Sequence, residues 1–178
     1  EIIPNVDYDP DHTKYPIGNV YFTNHTGYVN VPMNIDPAPV NHTPQGLDPE
    51  LAVHKVSSLY IDKYADIEMA KQIAFNGKVH RPSACNATET LLVHKDIAPI
   101  ILPELSVIFK DVGVDLRCDE KSIKYMDARP AIEEDFGTEF NDMILSVKTV
   151  EDIDEAINHI YKYGSNHSET IVTENYSN

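Results

Sequence analysis

Cysteine is almost missing from this chain, and basic side chains are scarce. Only Cys85 and Cys118 occur in 178 residues. With no C-x-x-C pair, they exclude a disulfide scaffold, and nothing marks an oxidising compartment. Lys and Arg number 14 against 29 acidic residues, a formal net charge of −15. Such a field repels nucleic acid and anionic membrane surfaces, so neither is expected as a partner. It also repels an anionic substrate or a dinucleotide unless basic groups or helix N-termini gather locally. No apolar run approaches the roughly 18 residues of a membrane span. The first residues carry no basic n-region of a signal peptide. Asn-x-Ser/Thr triplets at Asn24, Asn41, Asn86, Asn166 and Asn175 would matter only in a secreted chain, so a cytoplasmic protein is expected. The seven glycines form no Gly-x-Gly-x-x-Gly and no glycine-rich phosphate loop.

What is present suits one packed domain: 42% of the residues are hydrophobic, ordinary for a globular chain. Composition changes near residue 50. Eight of the 12 prolines precede it, with turn signals at Asp9-Pro10, Asp36-Pro37 and Asp48-Pro49. Proline removes a ladder donor and is barred from helix interiors, so residues 1–50 are expected to form a proline-rich irregular arm or cap. Two short β-prone runs, 19–22 and 28–31, suggest a small hairpin around Asn24 and Gly27. His25 and His42 each sit in an Asn-His-Thr triplet, which is too little to indicate a metal, and none is expected.

From residue 51 the pattern is regular. Strands are expected at 58–61, 90–93, 114–117, 143–147 and 170–173. Helices are expected at 65–76, 97–111 and 152–163. The first carries Ile67, Ala70, Ile73 and Ala74 on one face; the second has Pro99 in its first turn and Gly113 as its stop; the third ends at Gly164. Strands alternating with helices of this length imply an α/β domain over 51–178 with a mostly parallel sheet.

Cys85 lies in Arg81-Pro82-Ser83-Ala84-Cys85-Asn86-Ala87-Thr88, between a helix and a strand. Its neighbours are small and polar, and Lys78, His80 and Arg81 are close in sequence. The thiolate is the reactive form of cysteine, and nearby cations favour it. Asn86 and Thr88 could orient a bound group, with Glu89 closing the loop. Read without further context, Cys85 is either a nucleophile or a small buried hydrophobe. Cys118, at a strand end, reads as structural.

The segment RPSACNATETLLVH from Arg81 to His94 resembles the active-site segment of gamma-glutamyl phosphate reductases (glutamate-5-semialdehyde dehydrogenases) of the aldehyde dehydrogenase superfamily. The likeness extends to Tyr60-Ile61-Asp62-Lys63-Tyr64-Ala65-Asp66, to Thr138-Glu139-Phe140, and to YGSNHSETIVTEN from Tyr163 to Asn175. The resemblance implies an aldehyde-dehydrogenase-like catalytic domain that reduces L-glutamyl 5-phosphate with NADPH on the route to proline. Cys85 would form a thioester, with Asn86 and Thr88 beside the substrate. A carboxylate and an aromatic ring before a strand would hold the nicotinamide ribose and ring. Glu139-Phe140 fits that position best and Glu134-x-Phe136 is a rival register. The family usually forms dimers or tetramers, so a homo-oligomer is a possible partner.

Several features depart from the family. Its members are more than twice this length, and their dinucleotide domain lies mostly before the cysteine, where residues 1–50 do not resemble it. The upstream oxyanion asparagine and the closing C-terminal segment have no counterpart. Gly77 and His80 stand where Ala and Gln are usual. Two expectations follow: a catalytic-domain portion whose cofactor domain lies elsewhere, or the same fold reused as a binding or structural module.

Overall fold

The structure is a computed structural model. It describes residues 55–178 in full and the backbone of 19–24 and 27–32. The chain divides into two compact units, Glu1–Leu47 and Asp48–Asn178. In the first, β1 (Asn19–Asn24) and β2 (Gly27–Pro32) form an antiparallel hairpin, paired from Asn19 with Pro32 to Asn24 with Gly27. That is the expected hairpin. His25, His42 and the rest of the proline-rich segment lie outside the described residues.

The second unit is built on β3 (Ser57–Ile61), α1 (Ile67–Val79), β4 (Thr88–His94), α2 (Ala98–Asp111), β5 (Asp115–Cys118), β6 (Arg129–Pro130), β7 (Ile144–Val150), α3 (Ile153–Tyr163) and β8 (Glu169–Val172). Six strands join in the order β6-β5-β7-β4-β3-β8, and each neighbouring pair is parallel. The expected α/β domain with a mostly parallel sheet is therefore present, shifted by a few residues at some ends.

The helices cover both faces. Side chains alternate along a strand. Leu59, Ile61, Leu91 and Val93 point into a core closed by Ala70 and Ala74 of α1 and Ile101, Leu102, Leu105 and Phe109 of α2. Tyr60, Leu92 and Val150 point the other way, onto Ala156 of α3. Both faces of β4 are thus dry, which is why its run Thr-Leu-Leu-Val does not alternate in sequence.

Helix ends follow local chemistry. The Asp66 carboxylate accepts the Met69 N–H at 2.8 Å and opens α1; Asp152 accepts the Glu155 N–H at 2.9 Å and opens α3. Each cap contributes about 1 kcal/mol. Gly113 has a φ of +82°, the left-handed turn in which a helix commonly stops, just past α2.

In a parallel sheet all strands begin at the same end. The segments before β7, β4, β3 and β8 therefore meet along one edge. Those segments carry Glu139 and Phe140, Cys85, Ser57's approach, and Ser168.

Candidate functional site

Cys85 sits on the turn between α1 and β4. That turn is shaped by Ala84 N–H donating to the Arg81 carbonyl at 3.0 Å and Ala87 N–H to the Ala84 carbonyl at 2.8 Å. Proline 82 and the small residues around it leave no room for a regular element, so the helix ends and the thiol is presented outward, exposed. Asn86 is exposed beside it. A cavity of about 340 Å³ opens between the end of α1 and this turn, lined by Asn76, His80, Arg81, Asn86 and Ala87 among others. Two of the basic residues near Cys85 in sequence, His80 and Arg81, thus line that cavity.

Lys78 does not join them. It is fully buried and its Nζ donates to Glu89 Oε2 at 2.7 Å, with Glu89 only 1% exposed. Burial pulls the Lys78 ammonium down and pushes the Glu89 carboxyl up, and each partner opposes the other's shift. The expectation that Lys78 supplies free positive charge to the thiol is corrected: its charge is spent inside the domain. Glu89 does not close the loop at the surface either. Its other oxygen accepts the Asn141 N–H at 3.2 Å, tying the helix, the cysteine strand and the segment before β7 together. Asn141 makes that bend with a φ of 53°, a region Asn tolerates better than most residues.

Thr88 is the first residue of β4 and is buried, facing α1, so it is not brought out beside the thiol as Asn86 is. Glu139 and Phe140 are half-buried just before β7. The Phe140 ring lies under the Arg117 guanidinium at 4.9 Å, and Glu139 is near enough to Glu89 to push that carboxyl up further. The rival ring, Phe136, is interior: it meets His159 edge-on at 5.2 Å and Tyr163 at 5.9 Å. Glu134 is exposed on the same short 3₁₀ turn, Glu133–Gly137. Both pairs precede β7, Phe136 buried and Phe140 half-buried. Cys118 is 1% exposed, its Sγ 3.6 Å from Met126 Sδ. Burial first, then Asp119, pushes its thiol up to about 12.

Sequence reading missed Ser57, which holds the cysteine turn, and the residues that fasten the start of β3 around it. The Ser57 hydroxyl, on a buried residue, donates to the Cys85 carbonyl at 3.3 Å and lies 2.8 Å from the Ser168 hydroxyl. Ser165 accepts the Val56 N–H at 3.0 Å, and Glu169 accepts the Ser58 N–H at 2.9 Å. These partners are separated by 109 to 111 residues, except for Ser57 and Cys85 at 28, so no local pattern could have joined them.

The sheet order and the helices on both faces are those of an aldehyde-dehydrogenase-like α/β fold, with an exposed cysteine on a helix-to-strand turn. An acetylating aldehyde dehydrogenase from Geobacillus thermoglucosidasius shares that fold, with TM-score 0.52 at 17% identity over 69% of this chain and 36% of its own. No family model matches the chain. The relatives are more specific. A gamma-glutamyl phosphate reductase of Persephonella marina is 51% identical over 131 residues, 68% of this chain and 29% of its own length. That of Carboxydothermus hydrogenoformans is 54% identical over 119 residues, 66% of this chain and 29% of its own. The crystal structure of gamma-glutamyl phosphate reductase from Thermotoga maritima superposes with TM-score 0.68 at 43% identity, over 69% of this chain and 30% of that one. Over that shared span the chain belongs with the gamma-glutamyl phosphate reductases. It spans less than a third of the length of the curated relatives it matches.

Proposed function

We propose that this chain supplies the cysteine-bearing catalytic part of an NADPH-dependent gamma-glutamyl phosphate reductase of proline biosynthesis. The observation that carries the reading is Cys85: exposed on the turn before β4, inside the span about half identical to enzymes of that name. Its thiolate attacks the acyl carbon of L-glutamyl 5-phosphate. The carbon–sulfur bond forms, the carbon–oxygen bond to phosphate breaks, and phosphate leaves with the electron pair. One difficult displacement becomes two easier steps.

A tetrahedral oxyanion develops at the carbon under attack, and donors aimed at it lower the barrier. The N–H groups of Ala84 and Ala87 are spent within the turn. That of Cys85 has no backbone acceptor among the described residues and is the local donor. Asn86, exposed next to the thiol, is the side chain placed to add a second. Arg81, lining the adjacent cavity beside His80, opposes the global negative charge where an anionic acyl phosphate must approach.

The chemistry of Glu139 and Phe140 fits the nicotinamide end of the cofactor: a carboxylate accepts from ribose hydroxyls, and a ring packs against a ring. Bound there, NADPH would supply the hydride that reduces the thioester carbonyl. No glycine-rich phosphate loop occurs in the sequence, so the remaining cofactor contacts fall to a dinucleotide domain or partner chain beyond this span.

The test is alkylation by iodoacetamide at pH 7, followed on the intact chain, on Cys85→Ser and on Cys118→Ser. The fast phase should vanish in Cys85→Ser and persist in Cys118→Ser, whose missing thiol was buried and protonated. A fast phase that belongs to Cys118, or equal rates at both thiols, overturns the nucleophile assignment and leaves a structural module of the same fold.

A further inference from the structure

The first residue of β3 stands nearer to Cys85 than a regular sheet would put it. Ser58 pairs with Thr90, so in unbroken register Ser57 would face Glu89. It faces Thr88 instead, because the register shifts between Ser57 and Ser58. A bulge of this kind re-aims a side chain, and bulges gather beside active sites. Here it moves Ser57 one residue along β4 towards the cysteine turn. The Ser57 hydroxyl then donates to the Cys85 carbonyl at 3.3 Å and lies 2.8 Å from the Ser168 hydroxyl. A hydroxyl has one proton to give. With that of Ser57 on the Cys85 carbonyl, Ser168 donates its own to Ser57, and the two serines form a relay ending on the nucleophile's backbone.

What that relay fixes is a peptide plane. In a trans peptide the carbonyl and the N–H that follows it lie in one plane and point opposite ways. The peptides of the described residues are trans. Holding the Cys85 carbonyl towards Ser57 therefore turns the Asn86 N–H away from β3. The N–H groups of Ala84 and Ala87 close the turn, whereas those of Cys85 and Asn86 have no acceptor among the described residues. Both residues are exposed, so two adjacent donors are open to a ligand. A donor drawing on the Cys85 carbonyl also polarises the amide and strengthens the Asn86 N–H, as in other hydrogen-bond chains. The N–H of the residue after a nucleophile is a proven place for an oxyanion, as on the strand-to-helix elbow of hydrolases.

We infer that Ser57, through its bond to the Cys85 carbonyl, is a positioning residue that aims the Asn86 N–H as a second oxyanion donor for acyl transfer to Cys85. This step rests on the function proposed above.

The test compares two reactions of the same thiol in the intact chain. With p-nitrophenyl acetate the thiolate attacks the acetyl carbon, the carbon–sulfur bond forms through a tetrahedral oxyanion, and p-nitrophenolate leaves with the electron pair. With iodoacetamide the thiolate displaces iodide and no oxyanion forms. Acylation is followed as p-nitrophenolate release after subtracting that of Cys85→Ser, and alkylation by mass spectrometry. Losing an oxyanion donor outright typically costs about 10²–10³ in rate, and mis-aiming one costs less. Ser57→Ala should therefore slow acylation about tenfold while alkylation stays within about twofold. Ser168→Ala, at a half-buried position outside the strands, removes the donor behind Ser57 and should slow acylation alone, by about threefold. Unchanged acylation in Ser57→Ala, or an equal fall in both reactions, overturns the assignment. If Ser57→Ala does not fold, the same two outcomes in Ser168→Ala overturn it. Should the native Cys85 also react slowly with iodoacetamide, the nucleophile reading itself fails, and that arm tells the two failures apart.

Discussion

Removing the Lys78 ammonium tests the link between helix, cysteine strand and cofactor-side turn. In Lys78→Met the methionine fills a similar volume, but Glu89, 1% exposed, keeps only the Asn141 N–H. Losing one partner of a buried ion pair typically costs about 3–5 kcal/mol, because the other charge is left desolvated. Set against a total of about 5–15 kcal/mol for a domain, that is a large fraction. In urea, at an m-value of about 2 kcal/mol/M, the midpoint should fall by roughly 2 M, read by far-UV circular dichroism. Lys78→Met combined with Glu89→Gln removes both charges and keeps an acceptor for Asn141. It should recover at least about 2 kcal/mol of the summed single losses, a coupling far above the roughly 0.5 kcal/mol error of additivity. A Lys78→Met loss below about 1 kcal/mol, or a strictly additive cycle, would refute the claim that the pair is charged and mutually dependent.

His159 gives a pH signature. Neither ring nitrogen has a hydrogen-bond partner among the described residues, and burial, then Lys148 and Lys162, lower its pKa to about 4. The unfolded chain takes up the proton first, near pH 6.5, so this stability is present above that pH and is lost as pH falls towards 4. The full loss is about 3 kcal/mol at 1.36 per unit. His159→Phe should flatten that part of the stability-versus-pH curve, and an unchanged slope between pH 6.5 and 4.5 would count against it. At Gly77, an added Cβ would stand 2.6 Å from the Thr88 hydroxyl oxygen. Gly77→Ala should therefore lose about 1 kcal/mol despite its better helix propensity, and turn stabilising by a similar amount when Thr88→Ala is added; stabilisation by Gly77→Ala alone would show that Thr88 yields without cost.

Hydrophobic period, helix caps and turn residues were enough to read the α/β class from the sequence. Ile67, Ala70, Ile73 and Ala74 mark one face of α1, Gly113 stops α2, and residues 90–93 read as a short apolar strand, because each signal acts within a few residues. The place of Cys85 on an exposed turn between a helix and a strand was legible too, since Pro82 and the small residues around it spell out that turn locally. What the sequence could not decide was which groups stand around that thiol. Lys78 looks like a neighbour by distance along the chain, yet the helix turns it inward to a carboxylate 11 residues on. Phe136 and Phe140 are equivalent as letters, and only packing against His159 and Tyr163 makes the first interior. Ser57 reaches the Cys85 carbonyl, and Ser168 and Glu169 reach Ser57 and Ser58, because parallel strands all start at one edge, so residues about 110 apart in the chain become neighbours there. Periodicity and capping are local and survive in one dimension; charge pairing and the grouping of strand ends depend on strand order, which exists only once the sheet has formed.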